Sequence, residues 1–207
     1  MNILDKVKAI LFKTNETLPL LKEESNTLQQ PIIYLAILAL IPLMATFIGY
    51  SAVGFDTITG SNVRLPVTSS LIHIIVQFLL TVVGVFLTAL IANYMAPKFG
   101  GKENYPQAFK AVSYACTPSL IGGILAIHPK MSLLGSWAGF IFGLIIAIYG
   151  LYILYQALPV LMESPKTSAF TYTLIVAVGG IVIWGGLDII NNFIAKSIIN
   201  NAISHLI

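Results

Sequence analysis

The stretch Pro31–Gly54, PIIYLAILALIPLMATFIGYSAVG, carries no charged side chain over 24 residues. A helix of about 20 apolar residues crosses a hydrocarbon core of about 30 Å. Lipid offers the backbone no hydrogen-bond partner, so a segment of this kind must pair its own N–H and C=O groups as a helix. Four more such stretches follow at Thr68–Ala96, Gln107–Ile127, Leu133–Val160 and Ala169–Ala195. Within them only Lys110, at the entrance of the third, and Asp188, in the fifth, are charged. The solvent of this protein is therefore a bilayer.

Composition agrees. The 207 residues are 57% hydrophobic and 9% charged, against about 25% charged for a soluble domain. Five spans use most of the chain and leave no room for a second folded domain. The expected fold is all-α, a polytopic membrane bundle of five transmembrane helices with a short N-terminal amphipathic helix. Residues 1–30 form an arm, 31–195 the membrane domain and 196–207 a short tail. The arm holds eight charges and lacks the compact apolar core and cleavage site of a signal peptide, so the first span is expected to direct insertion. One cysteine, Cys116, excludes an internal disulfide and a cysteine-based metal cluster; it reads as a small packed residue. No metal or cofactor is expected. The net charge of +3 does not point to nucleic acid.

Before the first span, Ile3, Leu4, Val7, Ile10 and Leu11 recur at helical spacing with Lys6, Lys8 and Lys13 between or behind them. This is a basic amphipathic helix suited to a membrane surface, or alternatively to a partner. Residues 15–30 read as a polar loop, with Pro19 breaking any helix. Pro42 is expected to kink the first span.

The loops divide the basic residues unevenly. Lys6, Lys8, Lys13, Lys22, Lys98, Lys102, Lys110 and Lys166 belong to one side; Arg64, Lys130 and Lys196 belong to the other. Lysine and arginine favour the cytoplasmic side. The N-terminus is thus expected in the cytoplasm and the C-terminus outside, in a prokaryotic plasma membrane. The bilayer itself is the first partner, with anionic lipid at the lysine-bearing face.

Gly135, Gly139 and Gly143 lie four residues apart in the fourth span and permit a close helix approach. The approaching helix belongs either to this chain or to a second copy in a homo-oligomer. Tyr149, Tyr152 and Tyr155, with Tyr94, Tyr105 and Tyr172, fit an aromatic belt.

Ionisable and amide groups inside a membrane are costly and mark candidate sites. His73 and Gln77 lie one turn apart in the second span; Asp188 is followed one turn later by Asn191 and Asn192 in the fifth. Both clusters fall toward the outer side. Together they could hold an ion or small solute, or they could be interface residues with separate neighbours. Motifs of soluble enzymes, such as H-E-x-x-H, G-x-S-x-G and the phosphate-binding glycine loop, do not occur. A non-enzyme is expected.

The run Gly100-Gly101-Lys102-Glu103-Asn104-Tyr105-Pro106-Gln107-Ala108-Phe109-Lys110, followed by Ser113-Tyr114-Ala115-Cys116-Thr117-Pro118, resembles the bacterial branch of the YIP family, the Ypt-interacting-protein membrane proteins. So do Leu158-Pro159-Val160-Leu161-Met162 and Ser164-Pro165-Lys166. The resemblance implies a five-span bundle with a cytoplasmic N-terminus and a role in organising membrane or membrane partners. Eukaryotic members are linked to Rab GTPases, but their acidic signature before the first span is absent here, so Rab binding does not carry over. Gly100 and Gly101 are expected to permit the tight return between spans two and three, and Pro159 and Pro165 to shape the hairpin of spans four and five; Pro118 is expected to free a carbonyl near Tyr114, which Ser113 and Thr117 satisfy unless they bond across helices. A transporter or channel using the polar residues of spans two and five is the alternative.

Overall fold

The computed structural model describes residues 2–56, 62–128 and 137–204. Its first two helices, α1 (Ile3–Phe12) and α2 (Thr14–Glu23), form the arm. Helix α3 (Gln29–Ile48) runs on into a π-helical turn, Gly49–Val53. Two-residue strands β1 (Phe55–Asp56) and β2 (Asn62–Val63) pair antiparallel in the loop that follows. Helix α4 (Val67–Met95) tightens into a 3₁₀ turn at Ala96–Phe99. The third span is made of α5 (Tyr105–Ala115), α6 (Thr117–Gly122) and a 3₁₀ segment, Gly123–Ile127. Helix α7 (Trp137–Leu161) and helix α8 (Ala169–Ser204) complete the bundle.

Among the described residues five helical stretches are long and apolar enough to cross a membrane: Gln29–Val53, Val67–Phe99, Tyr105–Ile127, Gly139–Leu161 and Lys166–Ile198. They match the five apolar stretches of the sequence. Helix α8 continues as far as Ser204, through most of the stretch read as a tail.

Local signals set the boundaries. The Asn104 side chain caps α5 by accepting the Gln107 N–H, and Pro106 sits in the first turn, where a missing N–H costs nothing. Pro118 occupies the same position in α6, which is why the third span breaks at Cys116. Pro42 lies inside α3, and Gly123 approaches it so closely that a Cβ there would sit 2.5 Å from the proline Cβ.

One expectation is corrected. Residues 14–23 are helical, with Pro19 inside α2, rather than a loop. The lost backbone bond is offset by burial. Leu18 and Leu21 are fully buried on either side of the exposed proline, each such side chain contributing about 1.5–3 kcal/mol. Thr14 and Thr17 also return their hydroxyls to the carbonyls of Ile10 and Lys13, which bridges the turn between the two arm helices. The arm has two apolar faces: Ile10, Leu18 and Leu21 join the core, while Leu4, Phe12 and Leu20 remain exposed.

The fully buried side chains gather where the arm meets the bundle. They include Ala89 and Ala92 of α4, Ala96 of the 3₁₀ turn that follows it, Ala108 and Phe109 of α5, Ile153, Ala157 and Leu158 of α7, and Tyr172 and Val176 of α8. Alanines at these contacts let the helices approach closely. Helix α4 packs on α8, α5 and α3; α5 packs on α7, and α2 lies along α7. In the fourth span Gly139 is buried and Gly143 half-buried, while Gly135 lies outside the described residues. Gly150 of that helix meets the Ala115 carbonyl, so a Cβ there would lie 2.8 Å from it.

Candidate functional site

Two hairpin loops and the arm meet at one end of the bundle. Gly100 adopts a left-handed backbone, φ 74°, which a residue without a Cβ enters at no steric cost. The Gly101 N–H bonds the Ala96 carbonyl, and the Lys102 N–H bonds the Met162 carbonyl at 2.8 Å. A Cβ on Gly101 would lie 2.7 Å from that carbonyl oxygen. The α4–α5 loop is thus fastened to the α7–α8 loop by backbone contact. Pro165 covers Gly100, and Pro159 lies in the last turn of α7.

Glu163 sits at the crossing. It is the described non-glycine residue with positive φ, 54°, a region costly for a side chain bearing Cβ. Its carboxylate accepts from Lys102 Nζ at 2.6 Å and Lys22 Nζ at 2.9 Å. The Lys102 and Lys22 ammonium groups hold it down from an ordinary value of 4.5 to about 2. The same contact raises the Lys102 ammonium. One carboxylate therefore ties the arm, the first hairpin and the second. Ser168 donates to the Phe99 carbonyl at 2.9 Å, and Tyr172 donates to the Ala92 carbonyl while stacking on Phe99.

Beneath this surface a second set of bonds holds the arm. Lys110 is fully buried, and its Nζ donates to the carbonyls of Leu21 at 3.0 Å and Glu24 at 3.2 Å. These carbonyls lie at the C-terminal end of α2, where orphan acceptors and the helix dipole favour a cation. Gln107 donates to the Lys22 carbonyl at 3.1 Å. Lys6, also buried, pairs with Glu24 at 2.7 Å. Tyr149 donates to the Leu11 carbonyl. Deeper still, the Tyr34 hydroxyl bonds Thr117 Oγ1 at 2.8 Å, and Tyr114 packs edge-on against Tyr34. Thr117, beside the helix break at Pro118, thus bonds across helices.

The lysine-bearing face is therefore of two kinds. Lys6 and Lys110 are internal struts and Lys22 is tied to Glu163, whereas Lys8, Lys13, Lys98 and Lys166 are exposed and outside the three ion pairs. Lys98 lies over the Tyr94 ring at 5.0 Å. A groove of about 640 Å³ separates α2 from the α7–α8 loop, lined by Pro19, Lys22, Glu23, Pro159, Val160, Glu163 and Ser164.

The polar residues of the second and fifth spans divide differently from their spacing. Gln77, Asp188 and Asn191 line one pocket of about 160 Å³ between α4 and α8. Asn192 donates to Asp188 Oδ2 at 2.9 Å from an exposed position. His73 is not in that pocket; it is buried edge-on against the Tyr50 ring, 5.4 Å between centroids, near Leu65 and Ala195. Among the described residues no group of three or more His, Cys, Asp or Glu could hold a metal. The sequence missed the burial of Lys110, although a lysine in the run Ala108-Phe109-Lys110-Ala111-Val112 was a signal of it.

A family model described as the Yip1 domain matches residues 8–187. The chain is 20% identical over 140 residues to the inner membrane protein YohC of Escherichia coli strain K12, covering 68% of this chain and 69% of that protein. The same figures hold for inner membrane protein YohC of Escherichia coli O6:H1, strain CFT073. No solved structure matches the chain.

Proposed function

The chain belongs to the Yip1-domain family, and from that premise we propose that it is a non-enzymatic protein of a bacterial plasma membrane that organises membrane or membrane partners through its arm end. The observation that carries this reading is the three-way junction at Glu163, which joins arm and both hairpins into one platform. A rigid surface of this kind suits recognition, since little ordering remains to oppose binding. The platform faces the cytoplasm by the lysine count, and the inner-membrane relatives support the compartment.

Its contact chemistry is anionic lipid on Lys8, Lys13, Lys98 and Lys166, with Leu4 and Phe12 flanking Lys8 on the same exposed stripe of α1. A lysine near an anionic surface contributes about 1 kcal/mol. The test is tethering of phosphatidylglycerol vesicles to protein held in neutral nanodiscs. Replacing the four lysines by glutamine should lower tethering at least about tenfold, since four such terms are removed. A wild-type protein that tethers anionic vesicles no better than neutral ones sinks the reading.

A second reading, transport of an ion or small solute, is supported by the pocket shared by Gln77, Asp188 and Asn191. Flux in proteoliposomes should then be abolished by Asp188→Asn. Wild-type flux equal to that of empty vesicles removes it.

A further inference from the structure

The pocket at Asp188 does not end at Asp188. Three of its residues, Gln77, Thr81 and Trp184, also line a chamber of about 500 Å³ within the bundle, to which α4, α5, α6, α7 and α8 contribute walls and α3 contributes Pro42. That volume lies within the range of ligand pockets, about 300–1,000 Å³. The two cavities thus make one crevice with a polar mouth and an apolar interior.

The mouth offers acceptors. Among the described residues Asp188 enters no ion pair, and it accepts a hydrogen bond from Asn192. Gln77 Oε1 and Asn191 Oδ1 are buried without a partner among the described residues. A carboxylate beside two unpaired amide oxygens calls for a group with positive charge and several N–H donors. The donor set is too poor in carboxylate and imidazole for a metal. The interior offers the reverse. Thr81 and Thr88, which line it, return their hydroxyls to the carbonyls of Gln77 and Gly84, so neither hydroxyl is left without an acceptor. Leu120, Val176, Ala177 and Ile181 add aliphatic wall.

We propose that this crevice binds a long-chain primary amine, its ammonium at Asp188, Gln77 and Asn191 and its alkyl chain in the chamber. The charge of the mouth selects the head, and the chain gains from a wall that is mostly aliphatic. The site is separate from the arm-end platform and stands or falls independently of it.

Trp184 lies at the join and reports occupancy directly. The test uses the full chain with Trp137→Phe, which leaves Trp184 as the sole tryptophan of the two, in phosphatidylcholine nanodiscs. A brominated long-chain primary amine is titrated against the brominated carboxylate of equal length. Quenching by the amine should saturate, with an apparent Kd at least about tenfold below that of the carboxylate, the scale of one charge-assisted hydrogen bond. Asp188→Asn should remove that preference and Asp188→Glu restore it. Ala177→Phe, which fills the chamber, should abolish saturation by the long chain. Linear quenching identical for both head groups, or saturation unchanged in Asp188→Asn, overturns the proposal.

Discussion

Glu163 shows how one residue can carry more than its exposure suggests. It is exposed, yet two ammonium groups hold its charge and its backbone sits at φ 54°. Its ionised form is favoured in the folded state, so the clamp is complete above its ordinary value of 4.5 and is lost as pH falls toward about 2. Between those limits the amides of the 100–104 loop in the wild-type protein should lose protection relative to the intrinsic exchange rate at each pH. Glu163→Gln keeps the backbone and removes the charge, so its protection should already be reduced at neutral pH and flat across that window. A wild-type profile that is equally flat would mean that the backbone bond from Lys102 to Met162 holds the hairpins without help from the carboxylate.

At the scale of the element, the arm is held by bonds to its own backbone. Lys110 reaches two carbonyls at the end of α2, and Gln107 a third. Lys110→Met keeps much of the volume but leaves two buried acceptors unpaired, at about 1–3 kcal/mol each. The arm should then detach while the five spans persist. Trypsin should cut after Lys13 or Lys22 at least about tenfold faster, as expected for a loss of that size, and leave a resistant membrane fragment. Cleavage at the wild-type rate would show that Ile10, Leu18 and Leu21 suffice to hold it.

These elements also mark what the sequence could and could not reveal. Gly100, Gly101 and Pro118 act through their own backbones, so their roles were legible from local rules. Helix α2 was not, because Pro19 argues locally against a helix and only the distant contacts of Leu18 and Leu21 with the bundle outweigh it. Counting lysines placed Lys6 and Lys110 on a charged surface, whereas folding buries both against acceptors from other segments. His73 and Gln77 are one turn apart, yet their neighbours differ, since His73 meets Tyr50, Leu65 and Ala195 while Gln77 meets Trp184, Asp188 and Asn191. Which helix stands opposite each face depends on the rotation of every span, and no single stretch encodes it.

For the whole molecule, the five spans were readable because lipid permits few solutions for an apolar chain. Their arrangement has an uneven grain. The fully buried side chains crowd the arm half, while the crevice hollows the bundle along α4 and α8. Close-packed interiors resist compression; a hollow does not. The arm half of the bundle is therefore the stiffer part and the crevice half the more compressible one, so the molecule is mechanically uneven from end to end before any partner arrives.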